Sequence, residues 1–366
     1  MSLIPWLLTT SYSLLFMKII VGMSGGVDSS VAALLLKEKG YEVTGVTLRT
    51  FSGCRNPEDT CADQGSIVAA TGVAHKLGIA HRVVDVQNAF KKFVIDYFCS
   101  AYSSGRTPNP CVACNESVKF TSLLQCADEL GAEKIATGHY ARVGEDHGRA
   151  LLMRGVDERK DQAYFLSRLT QPVLKRTVFP LGEYRKSEVR NFAREHGLGA
   201  HERPESQEIC FIPGDDYRAF LKDMRGMRIA GGDILDREGK VVGKHQGVEF
   251  YTVGQRGGLS LNSKTPRYVT SMDTVRRTVT VGGIDDLIKN EMRVSGVNWI
   301  AWDTPGGPFH ALVKIRYNHP GVMSTVQPQP GGGALVVFDS PQKAVTPGQA
   351  AVFYSGDVVI GGGWID

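Results

Sequence analysis

Between Lys18 and Val143, short β-branched apolar runs alternate with stretches in which apolar residues recur every three or four positions. The pattern predicts strands over 18–22, 41–49, 81–86 and 134–138, with helices over 28–39, 63–77, 89–103 and 116–130. In the first helix Val27, Val31, Leu34 and Leu35 share one side, and Lys39-Gly40 ends it because glycine accepts the left-handed cap. Such alternation builds βαβ units, so the expected fold class is α/β, with a parallel sheet covered by helices on both faces. Helical patterns over 162–169 and 185–196, the latter closed by Gly197, extend this domain over residues 17–214.

After Asp215 the pattern changes. Gly-punctuated alternation over 247–253 and 268–270 reads as a small β-rich middle domain, assigned to 215–288. Beyond it, apolar runs at 312–317, 334–338 and 350–354 are separated by Pro/Gly clusters, which predicts a C-terminal β-barrel-like domain over 289–366. Residues 1–16 are apolar and Ser/Thr-rich, lack a basic n-region and a small-residue cleavage site, and are too short to span a membrane. Because Met17 directly precedes the first strand, they read as a misassigned start or a disordered leader. No repeat period and no long low-complexity tract occurs.

Composition narrows the class rather than the function. A chain of 366 residues exceeds what one core usually supports, and 42% hydrophobic with 22% charged residues excludes disordered and fibrous classes. The net charge of +4 permits a nucleic-acid partner without requiring one. Seven scattered cysteines are unlike the even, dense framework of a small secreted domain, so a reducing, cytoplasmic setting with no membrane association is expected.

The sharpest chemical signal is Gly22-Met23-Ser24-Gly25-Gly26-Val27-Asp28-Ser29-Ser30, between the first strand and the first helix. Backbone N–H groups and a helix start there face an anion, and glycines let a phosphate approach. The spacing is neither a Walker A loop nor a dinucleotide fingerprint. It resembles the S-G-G-x-D-S loop of the N-type ATP pyrophosphatases, which cleave ATP between the α and β phosphates. That resemblance implies that Gly22, Met23, Ser24, Gly25, Gly26, Val27, Asp28 and Ser29 hold ATP, that Asp28 helps to place Mg²⁺, and that Leu48 and Gly138 contact adenosine. Read alone, Asp28 is also a plausible N-cap.

The loop is shared by ammonia-using synthetases and sulfur-transferring tRNA enzymes, and the cysteines separate them. Thr107-Pro108-Asn109-Pro110-Cys111-Val112-Ala113-Cys114-Asn115-Glu116 is a Pro-bounded loop leading into a helix, and Cys114 stands where the helix dipole would lower a thiol pKa. A second thiol, Cys210, lies in Glu205-Ser206-Gln207-Glu208-Ile209-Cys210-Phe211-Ile212. With Thr137-Gly138-His139-Tyr140-Ala141 and Phe250-Tyr251-Thr252-Val253-Gly254-Gln255-Arg256, these segments resemble the tRNA-specific 2-thiouridylases from Met17 to the C-terminus. Cys99 and Cys126 read as small hydrophobes on helices, and the gap between Cys54 and Cys61 is too long for a usual zinc pair.

The resemblance implies ATP-dependent adenylation of the wobble uridine of tRNA and delivery of sulfur as a Cys210 persulfide, with Cys114 as the second thiol and an upstream persulfide donor protein as partner. It also assigns tRNA contacts to Asn109, Pro110, Cys111, His139, Lys160, Asp161, Gln162, Arg316, Tyr317 and Gln349. Much of that family carries Asp where this chain has Cys111. Either Cys111 only lines the uridine pocket, or Cys111, Cys114 and Cys210 hold a 4Fe-4S cluster. Two rivals from other classes remain: a small-molecule AMP-forming ligase or amidotransferase, and a tRNA-binding module without catalysis.

Overall fold

The computed structural model describes residues 17–51, 62–198, 209–212, 214, 216–224 and 229–366. The leader, Cys54, Cys61 and residues 205–208 lie outside the described residues. Two compact units divide the chain: one contains the residues before Lys92 with Cys114–Gln207, the other Lys92–Ala113 with Glu208–Asp366.

The first unit is built on a parallel sheet. Its strands are β1 (Lys18–Gly22), β2 (Glu42–Arg49), β3 (Ala80–Asp85) and β4 (Lys134–Thr137), followed by the antiparallel hairpin β5 (Ala141–Asp146) and β6 (Arg149–Arg154), and by β7 (Thr177–Val178). The sheet order is β3-β2-β1-β4-β7, and every pairing in it is parallel. Ile19 and Val21 share a core with Val27, Val31, Leu34 and Leu35 of helix α1 (Val27–Glu38), while Ile20, pointing the other way, is equally buried. A strand apolar on both faces needs cover on both, as the sequence predicts. Strand order reverses direction between β1 and β4, so their carboxyl ends bound the crevice where open α/β sheets take ligands.

Element boundaries shift where caps override periodicity. The helix expected over 116–130 begins earlier, as Pro110–Cys114, passes through a π-helical turn, Asn115–Lys119, and continues as Phe120–Leu130 to the left-handed Gly131. Asn109 causes the early start: its Oδ1 accepts from Val112 N–H at 3.2 Å, while Pro110 supplies a first helical residue that needs no donor.

In the second unit, the helix Asp96–Ser103 sets Phe98 edge-on to Phe211 and Phe220, at centroid distances of 5.3 and 6.0 Å. A four-stranded sheet follows, with β8 (Gly232–Leu235), β9 (Val241–His245), β10 (Tyr268–Asp273) and β11 (Thr278–Gly282) in the order β10-β11-β8-β9. The alternation over 247–253 is not a strand but a 3₁₀ turn, Val248–Phe250, which buries three successive residues, as a one-sided pleat cannot. The last six strands, β12 (Ile288–Trp299), β13 (Phe309–Lys314), β14 (Val322–Gln329), β15 (Gly333–Lys343), β16 (Ala350–Ser355) and β17 (Val358–Ile365), close as an antiparallel barrel through the β12–β17 pairing. Val294, Val313, Val326, Val336 and Phe353 fill it.

Candidate active site

β1 ends at Gly22 and α1 starts at Val27, so four residues make the turn between them. Gly25 adopts φ +73°, and a Cβ there would sit 2.6 Å from the Ser66 carbonyl oxygen and 2.8 Å from Ala69 Cβ on helix α2 (Ala62–Leu77). Both steric facts demand glycine. Ser24 N–H donates to Ser29 Oγ at 3.2 Å, and the Ser29 and Ser30 hydroxyls donate to the Gly26 carbonyl at 3.1 and 2.8 Å. Met23 is pinned from β2: its N–H reaches the Val46 carbonyl at 2.8 Å, and Thr47 Oγ1 donates to its carbonyl at 2.9 Å. The N-cap of α1 is Gly26, which has no side chain to bond the first N–H groups of the helix, a helix start of the kind that takes anions.

Gly138, just past β4, packs directly on this turn. A Cβ at Gly138 would lie 2.7 Å from both the carbonyl carbon of Asp28 and the amide nitrogen of Ser29. The residues from Gly22 to Ser29 and Gly138 therefore meet at the carboxyl ends of β1 and β4, and Leu48 lies half-buried near the end of neighbouring β2.

Asp28 departs from both sequence readings. It does not cap α1. Its carboxylate lies 2.7 and 2.8 Å from Lys186 Nζ and accepts from Tyr140 OH at 2.7 Å. Lys186 is buried at the first position of the helix Lys186–Glu195, where the helix dipole disfavours a cation, and Asp28 supplies the compensating charge. A carboxylate committed to an ammonium is not a ready metal ligand, and among the described residues no three His, Cys, Asp or Glu side chains gather as a metal site. The residues therefore do not fit a resident Mg²⁺ held by Asp28; magnesium would enter as part of the ATP substrate. Lys186 escaped the sequence reading, although a lysine opening a helix against its dipole was a usable signal.

Cys114 also differs from expectation. It is the last residue of the helix Pro110–Cys114 rather than part of a loop leading into a helix, beyond the turn where the dipole acts. Burial pushes its thiol pKa up, opposed by the Lys119 charge and by the Lys119 backbone N–H. The π turn that brings Lys119 back is braced by Asn115 Nδ2 donating to the Phe165 carbonyl at 3.0 Å and by Arg168 bonded to Glu116 at 2.7 Å. Cys111 and Cys210 are exposed and Cys114 half-buried.

The expected tRNA contacts fall into two groups. Arg316 is exposed, and Lys314 Nζ stands 5.7 Å from the Tyr317 ring centroid, a basic and aromatic surface suited to RNA. Cys111 is exposed beside buried Pro110, and Lys160 is half-buried. The others serve the fold. Asp161 is buried and accepts from the Gly155 and Ala163 N–H groups at 3.2 and 3.0 Å. Gln162 Oε1 accepts from Tyr140 N–H at 3.0 Å. His139 lies between Phe120 and Phe179 and 2.7 Å from Thr137 Oγ1; burial, then the Lys119 charge, hold its pKa well below the usual imidazole value, so it is neutral. Gln349 Nε2 donates to the Thr107 and Pro108 carbonyls at 3.1 and 3.2 Å, and buried Asn109 caps its own helix.

Comparison with known proteins matches residues 17–214 to a tRNA methyl transferase HUP domain, 218–283 to a tRNA methyl transferase PRC-barrel domain and 289–365 to an aminomethyltransferase beta-barrel domain. A tRNA-specific 2-thiouridylase MnmA of Geotalea uraniireducens (strain Rf4) is 48% identical over 356 residues, covering 95% of each chain. One of Roseiflexus sp. (strain RS-1) is 47% identical over 95% of this chain and 99% of its own. A solved 4-thiouridine synthetase–RNA complex with bound ATP aligns with 56% of this chain and 50% of that chain at 19% identity and a TM-score of 0.38. Among the described residues no helix is long and apolar enough to cross a membrane.

Proposed function

The chain belongs to the tRNA-specific 2-thiouridylase family, and from that membership we propose that it replaces the 2-oxygen of the tRNA wobble uridine with sulfur at the expense of ATP. The observation that carries the ATP half is the close approach of Gly138 to the Asp28–Ser29 backbone, 2.7 Å from a would-be Cβ, beside the uncapped start of α1. That arrangement suits phosphates held by backbone N–H groups.

The uridine O2 attacks the α-phosphorus of ATP and pyrophosphate leaves, which turns an amide-like oxygen into an AMP leaving group. Cys210 receives its terminal sulfur from an upstream persulfide donor protein. The Cys114 thiolate attacks Cys210 Sγ, the persulfide S–S bond breaks and hydrosulfide departs. Hydrosulfide adds at C2 and AMP leaves. The Cys114–Cys210 disulfide so formed takes two electrons and two protons from a thiol reductant before the next cycle. A cytoplasmic setting supplies that reductant. The raised Cys114 pKa fits a thiol kept protonated until substrate arrives, with Lys119 beside it to stabilise the thiolate.

The test is incubation with ATP, a sulfur source and unmodified tRNA, followed by measurement of AMP and of 2-thiouridine in digested RNA. Cys114→Ser and Cys210→Ser should abolish 2-thiouridine while AMP formation persists. Thiolation by either serine variant at the parent rate defeats the two-thiol route, and AMP formation indifferent to tRNA favours a small-molecule ligase.

A further inference from the structure

Behind the phosphate turn, a relay of hydrogen bonds runs from helix α2 through β3 and β2 to the Met23 carbonyl. Thr47 is 3% exposed, and its Oγ1 donates to that carbonyl at 2.9 Å. The same Oγ1 lies 2.9 Å from His81 Nε2 on neighbouring β3, and His81 Nδ1 lies 3.2 Å from Thr71 Oγ1 on α2. Parallel pairing sets His81 opposite Gly45, so its ring reaches Thr47 two residues along the same face. Gly45 leaves the space this needs, because a Cβ there would collide with Met23 Sδ and lie 3.2 Å from His81 Cδ2.

A threonine hydroxyl has one hydrogen to give. Once it goes to the Met23 carbonyl, Thr47 Oγ1 faces His81 only as an acceptor, so Nε2 must carry a hydrogen and donate it. Burial lowers the His81 pKa, so near neutral pH the ring holds one proton and its place matters. With that proton on Nδ1 instead, Nε2 would be an acceptor and draw the Thr47 hydrogen away from Met23. Thr71 supports the first arrangement, since its hydroxyl can donate to an unprotonated Nδ1; it also lies 2.9 Å from the Ile67 carbonyl.

The relay controls the direction of one peptide group. In a trans peptide the C=O and the following N–H point opposite ways. Holding the Met23 carbonyl toward Thr47 therefore turns the Ser24 N–H across the turn, where it donates to Ser29 Oγ at 3.2 Å. A flipped peptide would aim the Met23 carbonyl oxygen toward the first turn of α1, and its partial negative charge would repel phosphate oxygens there.

We propose that Thr47, oriented by His81, is a positioning residue for ATP: it keeps the Met23–Ser24 peptide turned with its N–H toward the phosphates. The inference rests on the reading of this turn as the ATP site. Neither residue touches the nucleotide; both act through the Met23 carbonyl, Thr47 directly and His81 by fixing where the Thr47 hydrogen goes.

The test measures ATP binding to the full chain by calorimetry, beside thermal melting and 2-thiouridine formation. Thr47→Val removes the hydrogen that holds the Met23 carbonyl, so the peptide can flip. Because only the unflipped form binds phosphate, the ATP Kd should rise about tenfold. Thr47→Ser keeps a hydroxyl and should restore a Kd near the parent's. His81→Phe should raise the Kd about threefold in the parent and leave it unchanged in the Thr47→Val background, since His81 acts only through Thr47. Lower melting temperatures with an unchanged ATP Kd would be the mark of a packing role and overturn the proposal. Equal effects of His81→Phe in both backgrounds overturn the relay. His81 is only half-buried, so its variant remains informative if Thr47→Val does not fold, and an unchanged Kd in it again overturns the relay. A parent that binds ATP but forms no 2-thiouridine fails the functional reading alone, and one that binds no ATP fails both.

Discussion

The nucleotide turn and the loop before Cys111 are both held by hydrogen bonds to their backbones, yet they are held from different distances. Within the turn the bonds between Ser24, Gly26, Ser29 and Ser30 span three to five residues, and the most distant tie, from Thr47 to Met23, spans 24. The Thr107–Pro108 loop is held from 145 residues away by Thr252, whose Oγ1 accepts from Thr107 Oγ1 at 3.1 Å, and from more than 240 away by Gln349. Pro347 adds its carbonyl to the Thr107 N–H at 2.8 Å. A site that uses its own backbone as ligand writes its geometry into one contiguous run. A site clamped by remote elements does not, and its holders look like ordinary polar residues.

The comparison breaks hardest at Gly138. Its Ala variant forces a methyl group against backbone that cannot yield, so about 1–3 kcal/mol of stability should go, and displacement of the phosphate turn should cut ATP-to-AMP conversion by about a hundredfold. Denaturant melts and AMP release measure the two effects. Near-parent AMP formation would mean that the turn tolerates the shift and the tight contact is incidental.

Lys186→Met comes next. It strands the Asp28 carboxylate with Tyr140 alone, and because that carboxylate is one-third exposed the loss should be about 2 kcal/mol, below that of a fully buried pair. Adding Asp28→Asn should recover part of it, and the double-mutant cycle reads the coupling directly. An additive double mutant would show that the ion pair is not what seats α1.

The parallel sheet and the turn were legible because β-branched runs, helix periodicity and glycine need no distant partner. Cys114 was legible as a residue and misread as an environment: the dipole argument placed Cys114 just before a helix over 116–130, and the Asn109 cap with Pro110 brings the start back to Pro110. The 3₁₀ turn at Val248–Phe250 was missed because four or five residues of alternation cannot distinguish a pleat from a tight turn. Asp161 and Gln349 were named for the RNA, whereas their polar atoms satisfy backbone groups that no sequence pattern reveals.

Gln349→Ala tests the remote clamp. Two hydrogen bonds to carbonyls vanish from a half-buried site, so about 1 kcal/mol of stability should be lost. Since the clamp holds the loop that carries Asn109 and Cys111, thiolation should fall several-fold while AMP formation stays near the parent's. Equal loss of both activities would show that the loop and the phosphate turn work as one element, and the contrast between them would dissolve.

The smallest effect is expected at Arg316, where the barrel meets solvent. Arg316 is exposed just after β13, with Lys314 over Tyr317, and the buried His319 beside them is kept from protonating first by burial and further by the Arg316 and Lys314 charges. The surface charge there thus comes from Arg316 and Lys314 rather than from a titrating imidazole. If Arg316 neutralises a tRNA phosphate, Arg316→Ala removes one counterion-release event, and the slope of log affinity against log salt should flatten by about 0.7–0.9. Stability should hardly change, because no ion pair of Arg316 holds the barrel among the described residues, and chemistry on bound tRNA should persist. Titrations of tRNA at several salt concentrations decide it: an unchanged slope would make Arg316 an ordinary surface residue and move the RNA-facing charge elsewhere on the chain.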